Sequence, residues 1–206
     1  MNLTSKRKSL KKVYEPIGIL IAKTHITPNG ITVISVILGV LSAYFFYNHK
    51  PLVAALLLFM SGFFDLMDGV VARETDTSSK FGAVFDWLAD KVVDGAVLFA
   101  VGMAYSTPTI TIIAVIANML HTFIKPVAYS EIGYQERNKG KINDPLEGVG
   151  FFGRPETILT LVVFGVLENF IHGALHIGFQ LITILTLISL ALRVGYLYKN
   201  YHRDYD

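Results

Sequence analysis

Cysteine is missing from all 206 residues. That excludes a disulfide framework, a thiolate nucleophile and any cysteine-bearing zinc site. Charge is scarce: Asp, Glu, Lys and Arg make up 17% of the chain, where a soluble domain carries nearer ~25%. The shortage comes with 52% hydrophobic residues and a mean hydropathy of +0.50, and together they argue against a water-soluble fold. Internal repeats and low-complexity stretches are absent, which excludes a solenoid. A secretory leader is not expected, because Glu15 and Pro16 interrupt the first apolar part and no small-residue cleavage pattern follows. Nor is a nucleic-acid partner expected from a net charge of only +2.

What the chain has is long apolar runs. Six candidate spans read as 29–48, 52–74, 80–106, 108–132, 155–175 and 177–198, each near the ~20 residues a helix needs to cross hydrocarbon. The runs are continuous, not alternating, which favours helices over a β-barrel. Residues 5–24 are too charged to span. Lys6, Arg7, Lys8, Lys11 and Lys12 precede Val13, Ile17, Leu20 and Ile21, a pattern that predicts an amphipathic helix lying in the membrane interface. The expected fold is all-α and integral to the membrane: six transmembrane helices after an N-terminal juxtamembrane helix. Residues 1–28 form the interfacial helix and lead-in, and 29–206 the membrane domain.

Orientation follows from basic residues. With the N-terminus inside, Lys50 is the one Lys or Arg in an outside loop, so the positive-inside rule places both termini on the cytoplasmic side of a cell membrane. The polar stretch QERNKGKINDPLEG (135–148) is then an inside loop, and Asn143-Asp144-Pro145 should stop any helix there. His172 and His176 have helical i,i+4 spacing, but they read as an outer turn, not as a metal pair.

Against this apolar background stands DLMDGVVARETDTSSKFGAVFDWLAD, residues 65–90. Asp65 and Asp68 are spaced i,i+3 at the inner end of the second span, and Asp86 and Asp90 i,i+4 at the inner start of the third. Each pair shares a helix face. The short link TDTSS makes the helices antiparallel neighbours, so the two pairs face each other. Four such carboxylates repel unless a cation joins them, and an all-oxygen set suits Mg²⁺, Mn²⁺ or Ca²⁺, one ion or two. Gly69, Ala72 and Gly82 keep the same faces low, and Arg73 adds a planar cation suited to phosphate. Acids within a membrane helix are expensive and mark functional sites.

The stretch resembles the signature of the CDP-alcohol phosphatidyltransferases, D-x2-D-G-x2-A-R-x8-G-x3-D-x3-D, matching at Asp65, Asp68, Gly69, Ala72, Arg73, Gly82, Asp86 and Asp90. TPNGIT (27–32) resembles the segment leading into that family's first span. The resemblance implies a homodimer that transfers a substituted phosphate from a CDP-linked lipid donor to a polar alcohol acceptor, releasing CMP. It implies Mg²⁺ or Mn²⁺ held by Asp65, Asp68 and Asp86, with Asp90 as general base and further ligand. Asp68, Gly69, Ala72, Arg73 and Gly82 would contact the cytidine nucleotide.

Lys125, Arg154 and Arg193 are cations at or within the fourth to sixth spans, and they are expected to gather around an anionic acceptor. GRPET (153–157) and Arg193 resemble basic positions of the family's inositol-phosphate-using branch, with Val127 where that branch carries another basic residue. The expected acceptor is therefore phosphorylated, an inositol phosphate or glycerol phosphate. The alternatives are an uncharged or zwitterionic acceptor, such as inositol or serine, and a divalent-cation transporter. A transporter would put its acids near the bilayer midplane and would not set Arg73 in the cation path.

Overall fold

The computed structural model describes residues 7–132, 137–138, 141–142, 146 and 149–202. Seven helices run in chain order: α1 (Arg7–Ala22), α2 (Pro28–Tyr47), α3 (Pro51–Glu74), α4 (Lys80–Tyr105), α5 (Pro108–Glu131), α6 (Arg154–Leu167) and α7 (Ala174–Tyr201). A two-residue antiparallel ribbon, β1 (Arg137–Asn138) and β2 (Lys141–Ile142), lies between α5 and α6. The expected helix stop at Asn143-Asp144-Pro145 falls outside the described residues, as do the side chains of Lys6, Arg7, Lys8, Lys11 and Lys12.

Hydroxyl residues start the long helices. Thr27, Ser79 and Thr107 each accept a hydrogen bond from the backbone N–H three residues on, at Gly30, Gly82 and Ile110, satisfying donors that the first turn leaves free. Pro28, Pro51 and Pro108 stand at the first helical position, where a missing N–H costs nothing. Links of a few residues make α2 to α5, and α6 and α7, antiparallel neighbours in sequence, whereas residues 132–153 separate α5 from α6. Helix α2 packs on α3 and α4, α5 on α4 and α7, α6 on α3 and α7, and α1 on α3.

Four helices, α2, α3, α5 and α7, are long and apolar enough to cross a membrane. Helix α4 carries Lys80, Asp86, Asp90, Lys91 and Asp94, too many charges for that class, and α6 has only 14 residues, about 21 Å of rise. The fifth expected span, 155–175, is thus shorter than its hydropathy suggests. The cause is Glu168: its carboxylate accepts from Gly173 N at 3.0 Å and Leu175 N at 2.7 Å. It caps α7, which starts at Ala174 rather than 177, after a left-handed turn at Gly173 (φ 88°). His172 lies in that turn. His176 spends Nδ1 on the Tyr105 carbonyl and Nε2 on the Gln180 amide, so the two histidines are not a ligand pair.

Outward faces are apolar, as Val33, Ile37, Val40 and Tyr44 show on α2. Inward faces are small and polar. Ser35 and Ser61 donate to each other's carbonyl at 2.9 and 2.8 Å, and Ser42 to the Ala54 carbonyl at 2.8 Å. Such pairs join helices where no water competes, at ~0.6 kcal/mol each. They also require close backbones. A Cβ on Gly39 would lie 2.5 Å from Val93 Cγ1 and 3.0 Å from Ser61 Oγ, so this glycine lets α2 meet α3 and α4 together. We predict that Gly39→Val destabilises the fold by about 1–3 kcal/mol through overpacking, read as a lower unfolding midpoint in detergent. An unchanged midpoint would mean that the three helices are not held together at this point.

Candidate functional site

The antiparallel α3–α4 pair brings its acids together. Carboxylate oxygens of Asp65, Asp86 and Asp90 lie within 4.8 Å of one another, three of the four acids that the i,i+3 and i,i+4 spacings were expected to bring together. Asp68 stands beside them, only 5% exposed, and its Oδ2 accepts from the Thr32 hydroxyl at 2.6 Å. Thr32 belongs to TPNGIT, so the start of α2 fixes one acid directly. Asn29 of the same segment reaches α4 as well, its Oδ1 3.4 Å from where a Cβ on Gly82 would stand.

Gly69 leaves room, whereas a Cβ on Gly82 would meet Ser79 Oγ at 3.1 Å. A Cβ on Gly69 would meet nothing nearer than Arg73 Nη1, at 3.4 Å. Protein packing therefore does not demand glycine there. The Arg73 guanidinium is exposed and lies over this open face. An apolar groove of about 570 Å³ opens elsewhere, between α4 and α5, lined by Val84, Trp87, Phe123 and Val127. None of the signature residues lines it.

The counter-charge to the acids comes from residues that the sequence reading assigned elsewhere or passed over. Arg154, expected to meet Lys125 and Arg193, instead fans its three nitrogens over three carboxylates. Nη1 donates to Asp65 Oδ2 at 2.7 Å, Nη2 lies 2.8 Å from Asp90 Oδ1, and Nε donates to Asp94 Oδ1 at 3.1 Å. This planar fork suits the task in a way a lysine would not. Asp94 also takes Lys91 Nζ at 2.7 Å, and Lys91 reaches Thr122 Oγ1 at 3.2 Å. Neither Lys91 nor Asp94 was singled out in the sequence, although Asp94 continues the i,i+4 ladder of Asp86 and Asp90.

Arg193 lies elsewhere. It is 5% exposed and donates to the carbonyls of His121 and Val149 at 2.6 and 3.1 Å. Lys125 stands four residues after His121 on α5. The three expected acceptor cations thus divide: Arg154 faces the acids, while Arg193 and Lys125 neighbour His121.

The acids have the chemistry of a divalent-cation site. Three carboxylates converge from two helices, with oxygen the only donor type. Asp90 Oδ1, although beside Arg154 Nη2, is buried without a hydrogen bond, since that contact is an ion pair outside hydrogen-bonding geometry. A buried anionic oxygen in that state retains capacity for a cation.

Comparison with known proteins gives the family. The sequence profile of the CDP-alcohol phosphatidyltransferases matches residues 25–194. The archaetidylinositol phosphate synthase of Pyrococcus horikoshii is 28% identical over 193 residues, covering 93% of this chain and 94% of that protein. The phosphatidylinositol phosphate synthase of Corynebacterium glutamicum is 30% identical over 162 residues, covering 76% of this chain and 70% of that protein. Among solved structures, the phosphatidylinositol phosphate synthase of Mycobacterium tuberculosis with CDP-DAG bound shares the fold. Its TM-score is 0.72 at 23% identity, covering 91% of this chain and 94% of that one. The same enzyme has been solved with manganese and citrate.

Because Arg154 and a bound cation would draw on the same carboxylates, Asp65 and Asp90, we predict that Arg154→Met tightens Mn²⁺ binding. Loss of a charge-assisted contact sets the scale at roughly tenfold or more. Manganese titration followed by electron paramagnetic resonance measures it. Weaker binding in the variant would show that Arg154 supports the metal ligands and does not compete for them.

Proposed function

The chain belongs to the CDP-alcohol phosphatidyltransferase family, and from that premise we propose that it transfers a substituted phosphate from a CDP-linked lipid to a hydroxyl of an inositol phosphate, releasing CMP. The observation that carries this reading is the meeting of Asp65, Asp86 and Asp90 within 4.8 Å, at the family's signature positions. The relatives from Pyrococcus and Corynebacterium, named for archaetidyl- and phosphatidylinositol phosphate synthesis, support the phosphorylated acceptor.

In this reading Asp65, Asp68, Asp86 and Asp90 hold one or two Mg²⁺ or Mn²⁺ ions. When bound, the ions supply positive charge to the donor pyrophosphate and to the departing CMP. The remaining work belongs to the chain. Thr32 fixes the Asp68 carboxylate. Asp68, Gly69, Ala72, Arg73 and Gly82 receive the cytidine nucleotide, Gly69 by leaving space and Arg73 by its charge. Asp90 takes the acceptor's hydroxyl proton as the oxygen attacks the lipid-bearing phosphorus, and the bond from that phosphorus to the CMP oxygen breaks. An alcohol is too weak an acid to ionise unaided at neutral pH, so a positioned carboxylate contributes ~10²–10⁴-fold. Lys125, Arg154 and Arg193 serve the acceptor side.

We further read α2 to α7 as six spans, with both termini and the active site on the cytoplasmic side. In favour stand the short links on both sides of α4, the packing of α6 on α3 and α7, and the bias of basic residues. Residues 1–28 act as the interfacial lead-in to the membrane domain 29–206. The family resemblance also supports a homodimer.

Three outcomes are expected. CMP release from CDP-diacylglycerol or its isoprenoid-ether counterpart needs Mg²⁺ or Mn²⁺, is fastest with inositol phosphate, and stops with chelator. Full activity in excess EDTA overturns the metal assignment, and preference for free inositol or serine overturns the acceptor. Asp90→Asn lowers the rate ~10²–10⁴-fold with donor binding largely kept; near wild-type turnover would place the base elsewhere.

A further inference from the structure

One buried polar pair has no part assigned in the chemistry above, although Arg193, placed there on the acceptor side, touches it. His121 on α5 and Ser189 on α7 are 6% and 0% exposed. His121 Nε2 lies 3.0 Å from Ser189 Oγ, and Ser189 Oγ lies 3.0 Å from the Phe152 carbonyl. A carbonyl only accepts, so the serine's single proton goes to Phe152. Nε2 must then be the donor to Ser189, and Nδ1 is left bare. That bare nitrogen faces Arg193 Nη1 at 3.3 Å, which can only donate. One neutral tautomer therefore satisfies the whole chain, from Arg193 through His121 and Ser189 to Phe152.

This chain of bonds ends on a loop, and the loop is shaped to receive it. Arg193 Nε holds the Val149 carbonyl at 3.1 Å. Gly150 has φ 87°, and a Cβ there would come within 2.5 Å of Ser189 Oγ. Only a glycine lets this backbone lie against α7. Leu146 and Phe152, at 0% and 6% exposure, bury their side chains on either side. Two residues after Phe152 comes Arg154, whose guanidinium spans Asp65, Asp90 and Asp94.

We propose that His121 and Ser189 are positioning residues that hold residues 149–153 against α7 and thereby set Arg154 at the junction of the acids and the acceptor. The role of Arg154 towards the acceptor rests on the function proposed above. The clamp itself rests on the bond directions.

Two measurements test it. In ¹⁵N-histidine-labelled wild-type protein in detergent, the ring of His121 is expected to show a protonated Nε2 and a bare Nδ1. An Nδ1–H ring or a charged ring overturns the clamp, whatever the activity. In steady-state assays, Ser189→Ala is expected to raise the inositol phosphate KM about tenfold or more, while the CDP-lipid KM stays within about twofold. The increase should vanish when Arg154 is already Met. A network that only supports the fold predicts equal damage to both constants and full additivity with Arg154→Met; either result, or no rise at all, overturns the proposal. If the wild type releases no CMP with inositol phosphate, the function reading fails. The clamp is then decided by Mn²⁺ affinity, which Ser189→Ala should move toward that of Arg154→Met and leave unmoved when added to it.

Discussion

Three carboxylates from α3 and α4 converge on one guanidinium, and the surrounding bundle is arranged around that contact. An ionised group removed from water loses several kcal/mol of hydration, which is recovered only through good pairing geometry. Asp94 is nearly inaccessible, with its side chain 4% exposed, while those of Asp65, Asp90 and Arg154 retain 16%, 21% and 18%. The cluster therefore grades from a buried acid, balanced by both Arg154 and Lys91, to acids that still meet solvent. A purely structural ion pair would gain from closing that gradient. An open rim with an excess of carboxylates is instead what a site for a cation and an anionic substrate needs.

Holding such a cluster requires helices that do not drift. In hydrocarbon the hydrophobic effect does not press helices together, so close contact and interhelical hydrogen bonds must do so. The Ser35–Ser61 exchange and the glycine at 39 lock α2 to α3 and α4, and the start of the same α2 sets Thr32 on Asp68. Sheltering the acids and orienting them are thus one structural task. This is why α2, which contributes no carboxylate, belongs to the site.

Much of this was legible before any coordinates. Continuous apolar runs with Pro, Ser or Thr at their starts delimit α2 to α5 within a residue or two, and the acid spacings alone bring Asp65, Asp86 and Asp90 together. The end of α6 was not legible, because residues 168–173 mix apolar side chains with a glutamate whose capping role depends on where the next helix begins. Arg154 was noticed, but its ion pairs with Asp65, Asp90 and Asp94 were not foreseen. Hydropathy shows which residues are costly to bury but not which ones meet across 60 or more residues of chain. Asp94 and Lys91 carried a readable signal, the continued i,i+4 ladder, and Thr32 sat inside a segment already singled out. His121 and Ser189 carried none, since a lone histidine in an apolar helix has no periodic partner.

The division of the cations bears on how one substrate could meet both halves of the site. An inositol phosphate offers a hydroxyl and a phosphate on different carbons of one ring. On the proposed reading its hydroxyl must approach Asp90 while its phosphate finds positive charge. Cations gathered at one point would repel one another and would pull the hydroxyl away from the base. On the same proposal Arg154, paired with Asp90, marks the near edge of the acceptor space. Arg193 is held apart from it, on the carbonyls of His121 and Val149. The carboxylates hold Arg154, and backbone carbonyls hold Arg193, so neither guanidinium has to be ordered when the acceptor arrives. The entropy of fixing these long side chains is then lost in folding and not in binding, which is how a site with few charges can still select a charged acceptor.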